Sequence, residues 1–289
     1  MNELGKRAVV ALIGAPVALG IIWIGGAPLA TLASALAAVA AWEYCRLASA
    51  AGHQPLMPLT VVLSALAPLV VHAHVLGVFR VPFYAWSLAP LVMLTAAMAL
   101  RGVTGKPLGA AAVSLFGVFY TGVPLSFVYA LRYYGYAVGD LAGALVVMLP
   151  VLLTWASDTG AYASGRLIGG RKLVPSISPG KTVAGAVGAL VVTVVVLWLF
   201  QRFLFIPKAQ LAFTPWGLVI FGLAISATAQ VGDLAESLLK REAGLKDSGT
   251  LFPGHGGVLD RLDSLFFVLP VSYLLYDVLL IPAITAARS

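Results

Sequence analysis

The sequence is short of charge, of acids in its first half, and of cysteine. Only 10% of the 289 residues are charged, and Glu3 and Glu43 are the only acids before residue 130. The single cysteine, Cys45, excludes an intrachain disulfide. The scarcity of acids in the first half indicates that any chemistry is concentrated in the second half.

The chain also lacks internal repeats, serine-rich linkers and an acidic tail, which are the usual signs of several domains. We therefore expect one membrane domain over residues 1–289. Within it, residues 1–135 form N-terminal helices of uncertain role, and residues 136–289 supply the catalytic helices and loops.

Apolar residues make up most of the sequence. They make up 61% of the chain, the mean hydropathy is +0.99, and apolar windows of about 20 residues, enough to span a bilayer, recur throughout. The composition predicts an all-α, polytopic integral membrane protein with about nine transmembrane helices and a cytoplasmic N-terminus. The predicted spans are 8–25, 27–45, 57–78, 83–100, 109–131, 141–163, 182–206, 213–235 and 264–284.

The distribution of positive charge predicts the orientation. Most of the 18 Lys and Arg residues fall at the N-terminus and in every second loop between the predicted spans, which all lie on the same side of the membrane. Positive residues are retained on the cytoplasmic side. This places both long polar loops, residues 164–181 and 236–263, in the cytoplasm. The net charge of +7 also favours anionic partners such as lipid headgroups or nucleotides.

A polar stripe leads into the second of these loops. Asp233, Glu236, Ser237 and Lys240 share one face if the eighth helix continues. A solvated exit turn is the alternative interpretation. However, Asp233 lies in an otherwise apolar run, where an ionisable group is a functional candidate.

The loop after the stripe is rich in glycine, and His255 lies in its middle. Glycines let the backbone approach a ligand, and successive N–H groups can bind an anion. His255 is either a structural hydrogen-bonding residue or a group that contacts phosphate or transfers a proton.

Two further acids, Asp260 and Asp263, share a face at the start of the last span. Helix capping is one explanation, because acids are favoured in a first turn. Together with Asp233 and the nearby cations, these carboxylates also suit Mg²⁺ and phosphate oxygens. The pattern is typical of phosphoryl or nucleotidyl transfer.

A second polar segment, residues 158–185, contains the runs DTGAY, GGRK and SPGKT. In composition these runs are similar to phosphate-binding loops. They do not form a P-loop, because Pro175 stands where that motif needs a glycine. A plain basic loop beside the membrane is the alternative.

The run from Ser237 to Asp263 resembles the signature of the phosphatidate cytidylyltransferases, the CDP-diacylglycerol synthases. The upstream DTGAY and SPGKT runs and residues 230–233 are also similar to that family. Two departures are Gly180 and Ala184, where family members commonly carry Lys and Glu. The matching positions in the signature are Ser237, Lys240, Arg241, Lys246, Asp247, Pro253, His255, Gly256, Gly257, Asp260, Arg261 and Asp263.

The resemblance implies that CTP and phosphatidic acid react to give CDP-diacylglycerol and pyrophosphate, with Mg²⁺ and with or without a second cation. The implied metal ligands are Asp233 and Asp260. The implied catalytic residues are Asp233, Asp260, Asp263, Lys181 and His255. The implied substrate-binding residues are Ser178, Lys181, Ser237, Lys240, Arg241, Lys246, Asp247 and Arg261.

The same resemblance implies the partners and the location. We expect CTP, phosphatidic acid and membrane lipids as partners, and no nucleic acid, while homodimerisation stays open. The expected location is the bacterial inner (cytoplasmic) membrane, with the active site facing the cytoplasm. The roles of Glu43, Asp158 and Asp277 are left open.

Two other functions remain as alternatives. A CTP-dependent polyprenol or lipid kinase would transfer the γ-phosphate and give a product without cytidine. A secondary transporter would also use acids in its helices, but near the membrane midplane rather than at one surface. The CDP-alcohol phosphotransferases are excluded because their Asp-Gly and Ala-Arg signature is missing.

Overall fold

The structure is a computed structural model that describes residues 3–80, 82–249, 251 and 256–283, with backbone only for 3–13 and 83–87. Most of the described chain is helical, which confirms the all-α class. The α-helices are α1 (Glu3–Ile24), α2 (Gly26–Ala50), α3 (Met57–Val75), α4 (Phe83–Arg101), α5 (Pro107–Gly117), α6 (Val123–Arg132), α7 (Asp140–Leu167), α8 (Val183–Phe200), α9 (Pro215–Glu242) and α10 (Leu259–Leu279). The π-helical segment Val118–Gly122 joins α5 to α6, and Gln201–Ala209 extends α8.

Seven of the described helical stretches are long and apolar enough to cross a membrane. They are α2, α3, α5 through α6, α7, α8 with its extension, α9 and α10. Gly14–Ile24 of α1 and Leu88–Arg101 of α4 are shorter apolar helical stretches of the described chain. The polytopic membrane class is therefore confirmed, and the count of about nine spans stays a prediction.

The chain forms two compact units. Unit one comprises Met1–Ile21, Gly26–Ala130 and Leu238–Leu262, and unit two comprises Ile22–Gly25, Leu131–Ser237 and Asp263–Ser289. The sequence-based division at residue 135 stays a prediction.

Small residues allow the helices of unit one to pack closely. Ala37, Ala40 and Ala41 of α2 are fully buried, and Ser34 Oγ donates to the carbonyl oxygen of Ala65 in α3 at 2.6 Å. Small side chains at helix contacts are the usual solution in membranes, where apolar burial alone drives little association. A separate core cluster consists of Leu56, Met93, Ala97, Ala110, Ala111 and Val118.

In unit two, α8 presents two contrasting faces. Ala189, Thr193 and Leu197 are fully buried, whereas Val187 and Val191, offset by two residues, are 54% and 58% exposed. Val183 and Val195 continue this exposed valine row. An exposed apolar row of this length is expected to face lipid rather than water.

An aromatic stack and a short strand pair lie elsewhere in unit two. The rings of Phe221 and Tyr276 are 5.0 Å apart, and those of Phe213 and Phe221 are 4.8 Å apart. The short strand Leu211–Phe213 pairs antiparallel with the strand Leu280–Pro282.

The polar loop after α7 folds into a hairpin. Strand β1 (Lys172–Val174) pairs antiparallel with β2 (Ser178–Thr182), with an irregular register between Lys172 and Val174. Thr182 then ends the hairpin and caps α8, because its Oγ1 accepts a hydrogen bond from Gly185 N at 3.0 Å. This cap fixes the neighbouring Lys181 at the start of a transmembrane helix.

Two polar side chains of unit two, Arg132 and Tyr134, form hydrogen bonds that join separate segments of the chain. Buried Arg132 donates to the carbonyl oxygens of Ile22 and Trp23 and to Asp140 Oδ1. Tyr134 donates to Asp277 Oδ1 at 2.8 Å, and its burial, together with that bond, raises the pKa of Tyr134. Asp277, whose role the sequence left open, thus accepts a hydrogen bond from a residue outside its own helix.

Candidate active site

Unit two contains a cavity of about 660 Å³ at the hairpin. Lys181 Nζ lies 2.7 Å from Asp233 Oδ2, and the two side chains are 25% and 34% exposed. Ser237 Oγ donates to Asp233 Oδ1 at 3.5 Å. The cavity is lined by Asp158, Ala161, Tyr162, Gly165, Arg166, Gly180, Lys181, Thr182, Gly185, Gln230 and Asp233.

The ammonium group of Lys181 is the most informative atom of this cavity. Lys181 Nζ is buried, and its ion pair with Asp233 Oδ2 at 2.7 Å engages only part of the three N–H donors of the ammonium group. Buried donors are normally satisfied, and an unsatisfied one needs an explanation such as a missing ligand. An anion with several acceptor oxygens, such as a phosphate, matches an ammonium group with three donors.

Unit one contains the second predicted carboxylate, Asp260, in the first turn of α10. Its Oδ2 accepts from Ser248 N at 2.9 Å, from Gly257 N at 2.8 Å and from Ser248 Oγ at 2.8 Å. Its Oδ1 accepts from Lys240 Nζ at 2.7 Å. Asp260 is therefore buried and heavily hydrogen-bonded, and it organises the segment that precedes its own helix.

A third acid belongs to this network. Glu43 of α2 is fully buried, and its carboxylate accepts hydrogen bonds from Val258 N and Leu259 N at 3.1 and 2.7 Å. Sequence reasoning left its role open. The available signal was its isolation, because an acid inside an apolar membrane helix needs a partner.

The other predicted residues are less constrained in the described part of the chain. Arg241, Lys246, Asp247 and Arg261 are exposed, and Ser178 is partly buried on β2. Asp263 Oδ1 accepts from the next backbone N–H, that of Ser264. His255 lies outside the described residues, so its role stays a prediction.

The structure thus brings together Lys181, Asp233 and Ser237 in unit two, and Lys240 with Asp260 in unit one. Convergence of Asp233 and Asp260 on one metal ion stays a prediction. Tyr162, Arg166 and Gln230 also line the cavity, although sequence reasoning assigned them no role, and Arg166 donates to the Tyr162 hydroxyl at 2.8 Å.

The donor chemistry at these carboxylates suits Mg²⁺ to different degrees. Asp233 is partly exposed in a cavity with oxygen-bearing neighbours, which fits a hard cation that keeps several waters. Asp260 fits through Oδ1, where the cation would share the oxygen with Lys240, because Oδ2 is engaged by three donors. No cluster of three or more metal-ligating side chains occurs among the described residues, which is compatible with Mg²⁺ sites built from one or two carboxylates and substrate phosphates.

Comparison with known proteins identifies the family. A family model described as the cytidylyltransferase family matches residues 5–279. The chain belongs to the cytidylyltransferase family. This family member is 37% identical over 199 residues to the phosphatidate cytidylyltransferase of Haemophilus influenzae, a match that covers 67% of this chain and 66% of that protein.

Two further relatives carry the same name. The Staphylococcus saprophyticus protein is 41% identical over 161 residues, covering 56% of this chain and 57% of the relative. The Bacillus subtilis protein is 43% identical over 136 residues, covering 47% and 49%. The chain of this cytidylyltransferase family member thus spans less than two thirds of the length of each of these curated relatives.

Proposed function

We propose that this protein transfers the cytidylyl group of CTP to phosphatidic acid, giving CDP-diacylglycerol and pyrophosphate in phospholipid biosynthesis. Membership of the cytidylyltransferase family and the shared name of the three relatives support this proposal. The seven apolar helices support it further, because they place the protein where a lipid substrate resides.

The observation that carries the proposal is the buried ammonium of Lys181 in a cavity that Asp158, Arg166 and Asp233 also line. A buried cation with unused donors favours an anionic ligand over a neutral one. The cavity of about 660 Å³ lies within the range of small-molecule sites. A CTP phosphate and a phosphatidate headgroup both match this chemistry.

In the proposed reaction, a phosphate oxygen of the lipid attacks the α-phosphorus of CTP. The new P–O bond forms as the bond from that phosphorus to the bridging oxygen breaks, and pyrophosphate leaves with the bonding electrons. The attacking oxygen is already anionic and needs little help from a base. The side chains contribute position and charge: Lys181 and Lys240 bind phosphate oxygens and offset the negative charge that two phosphates bring together.

Mg²⁺ is the proposed cofactor, with or without a second cation, and Asp233 and Asp260 are its proposed ligands. When bound, Mg²⁺ would offset charge on the phosphate oxygens during nucleotidyl transfer. The ion pairs of Asp233 with Lys181 and of Asp260 with Lys240 fix the orientation of these two carboxylates. Asp263 and His255 are proposed to shape the site, and the remaining proposed substrate-binding groups are Ser178, Ser237, Arg241, Lys246, Asp247 and Arg261.

The bacterial inner membrane, with the site facing the cytoplasm, is the proposed location. The bacterial origin of the three relatives and the distribution of Lys and Arg support it. CTP is a cytoplasmic metabolite, so the polar hairpin must face that side for the reaction to proceed. Homodimerisation stays open.

The deciding experiment uses the purified chain with phosphatidic acid vesicles and two forms of CTP, one labelled in the cytosine ring and one at the γ-phosphate. The proposal predicts a lipid that carries the ring label and no γ-label. A lipid with only the γ-label would identify the kinase alternative. Absence of any labelled lipid, together with accumulation of a solute in sealed vesicles, would favour a transporter.

A further inference from the structure

Glu43 is a buried acid far along the chain from every other residue of the polar sites. It lies in α2, a mostly apolar helix whose only other charged residue is Arg46, and its exposure is 0%. An ionised carboxylate in such surroundings is costly unless hydrogen bonds and nearby positive charge compensate it. Its partners therefore indicate what it does.

Those partners are the amides that begin α10. Val258 takes the position before the helix, since its carbonyl oxygen accepts from Leu262 N. Helices usually carry Ser, Thr, Asp or Asn there, and valine has no side-chain acceptor. Glu43 supplies the missing acceptor, binding Val258 N through Oε1 and Leu259 N through Oε2. Its negative charge also faces the positive end of the helix dipole.

The same carboxylate reaches the segment that binds Asp260. Ser248 Oγ lies 3.2 Å from Glu43 Oε2 and 2.8 Å from Asp260 Oδ2. A serine hydroxyl has one proton, so it donates to one of these oxygens at a time. Glu43 and Asp260 are thus joined through one side chain as well as through the first turn of α10.

Two glycines show how closely the backbone surrounds Glu43. A Cβ atom at Gly249 or at Gly257 would overlap the Glu43 carboxylate. Both residues have backbone angles outside the left-handed region, so the need for glycine here is one of space. The described loop segments therefore enclose this carboxylate on both sides.

We infer that Glu43 is a positioning residue, which orients Asp260 and its partner Lys240 for the cytidylyl transfer by capping α10 and binding Ser248. The inference rests on the proposed function. Glu43 itself is fully buried, so we place its action in its neighbours rather than in direct contact with substrate. It acts through the first turn of α10, whose Asp260 binds Lys240 Nζ at 2.7 Å.

The test compares Glu43→Gln and Glu43→Asp in the full chain, with Ser34→Ala in the same helix as the control. Gln keeps the size but turns an NH₂ group toward backbone donors, whereas Asp keeps the charge and shortens the reach. We expect kcat per folded protein to fall roughly tenfold to a hundredfold in Glu43→Gln, as small misplacements do. The KM for CTP should change less, and Glu43→Asp should retain more activity than Glu43→Gln. A purely packing role predicts the reverse order, because Gln fills the site and Asp leaves a gap.

Hydrogen exchange of the backbone amides provides a readout independent of activity. In Glu43→Gln, the Val258 and Leu259 amides should exchange roughly tenfold faster, as expected for a lost hydrogen bond, while amides in α3 stay unchanged. Unchanged exchange at these two amides, or faster exchange with wild-type kcat, would overturn the inference. If the wild-type protein makes no cytidylyl lipid, the proposed function fails, and this positioning role fails with it. If the wild-type protein makes cytidylyl lipid and the Glu43→Gln variant is equally active, only the positioning role is rejected.

A second variant decides the matter if Glu43→Gln does not fold. Ser248→Ala removes only the hydroxyl between the two carboxylates and should lower kcat in the same direction. Combined with a foldable Glu43 variant, it should lower kcat by less than the product of the single effects, because both act on Asp260. Wild-type kcat in folded Ser248→Ala would overturn the inference.

Discussion

The variant Asp233→Asn tests whether Asp233 is a ligand of Mg²⁺ or only the ion-pair partner of Lys181. Asparagine has nearly the shape of aspartate but no charge, so the variant removes the ion pair at 2.7 Å with Lys181 and the proposed metal ligand together. If Asp233 only partners Lys181, its loss leaves the ammonium available to phosphate and costs little activity. If Asp233 binds Mg²⁺, most of the activity is lost.

The magnitudes of the two effects are well separated. The gross attraction across 2.7 Å is about 6 kcal/mol at an effective dielectric of about 20. Both side chains are partly exposed, so desolvation and screening reduce the net contribution to folding to about 1 kcal/mol. Loss of a metal ligand should instead reduce kcat/KM at least about a hundredfold, or about 2.7 kcal/mol in the barrier.

The assay measures initial rates of CDP-diacylglycerol formation across a series of Mg²⁺ concentrations, alongside thermal unfolding in detergent. Asp140→Asn is the matched control, because it removes the same kind of charge from an ion pair at 2.9 Å with Arg132, outside the cavity lining. Partial recovery of Asp233→Asn at high Mg²⁺ or with Mn²⁺ would support ligation. Activity within twofold of wild type, or a loss that merely follows unfolding, would refute the metal assignment.

Three other expected outcomes follow from the geometry. Lys181→Ala should raise the KM for CTP or phosphatidate roughly tenfold to a hundredfold, the effect of losing one charge-assisted contact. Lys172→Ala, which removes an exposed lysine from β1, should change this KM less than twofold, and equal effects of the two variants in the kinetic assay would contradict a phosphate role for Lys181. Gly257→Ala should reduce kcat as Glu43→Gln does, because the added methyl group would overlap the Glu43 carboxylate. Gly109→Ala, whose methyl group would meet no atom within 4 Å, should leave kcat unchanged in the same assay. Exposed Lys246→Cys, in a background without the native cysteine, should react with a membrane-impermeant thiol reagent only after cells are permeabilised, and labelling of intact cells would reverse the topology.

The sequence predicted the positions of the helices well, because hydrophobic length is set by bilayer thickness and is visible locally. The predicted spans at 57–78 and 83–100 match α3 and α4 to within a few residues. Polar ends were less predictable: α9 continues to Glu242, well beyond the predicted end at 235, since a helix does not need apolar residues to persist. The π-helical segment Val118–Gly122 left no trace in the apolar pattern.

The candidate site was predictable in its residue types and not in its pairings. Lys181 and Asp233 were each singled out, but their ion pair depends on how the hairpin meets α9. Glu43 shows the limit most clearly, because its partners Val258 and Leu259 lie more than 200 positions away in the sequence. The local sequence pattern carries no information about such contacts. The only indication in the sequence was that Glu43 is an isolated acid in a mostly apolar helix.

The exposed valine row of α8 has a consequence for how a two-tailed substrate would reach the cavity. The row begins at Val183, immediately after the cavity residues Lys181 and Thr182, and reaches Val195, a distance of about 18 Å at the helical rise. Withdrawing an acyl chain from a bilayer costs about 0.8 kcal/mol for each methylene group. A lipid aligned with this row would avoid that cost, since its tails would remain dissolved in the membrane while its headgroup met the ammonium of Lys181. Delivery and product release would then be sideways diffusion in two dimensions rather than extraction into water.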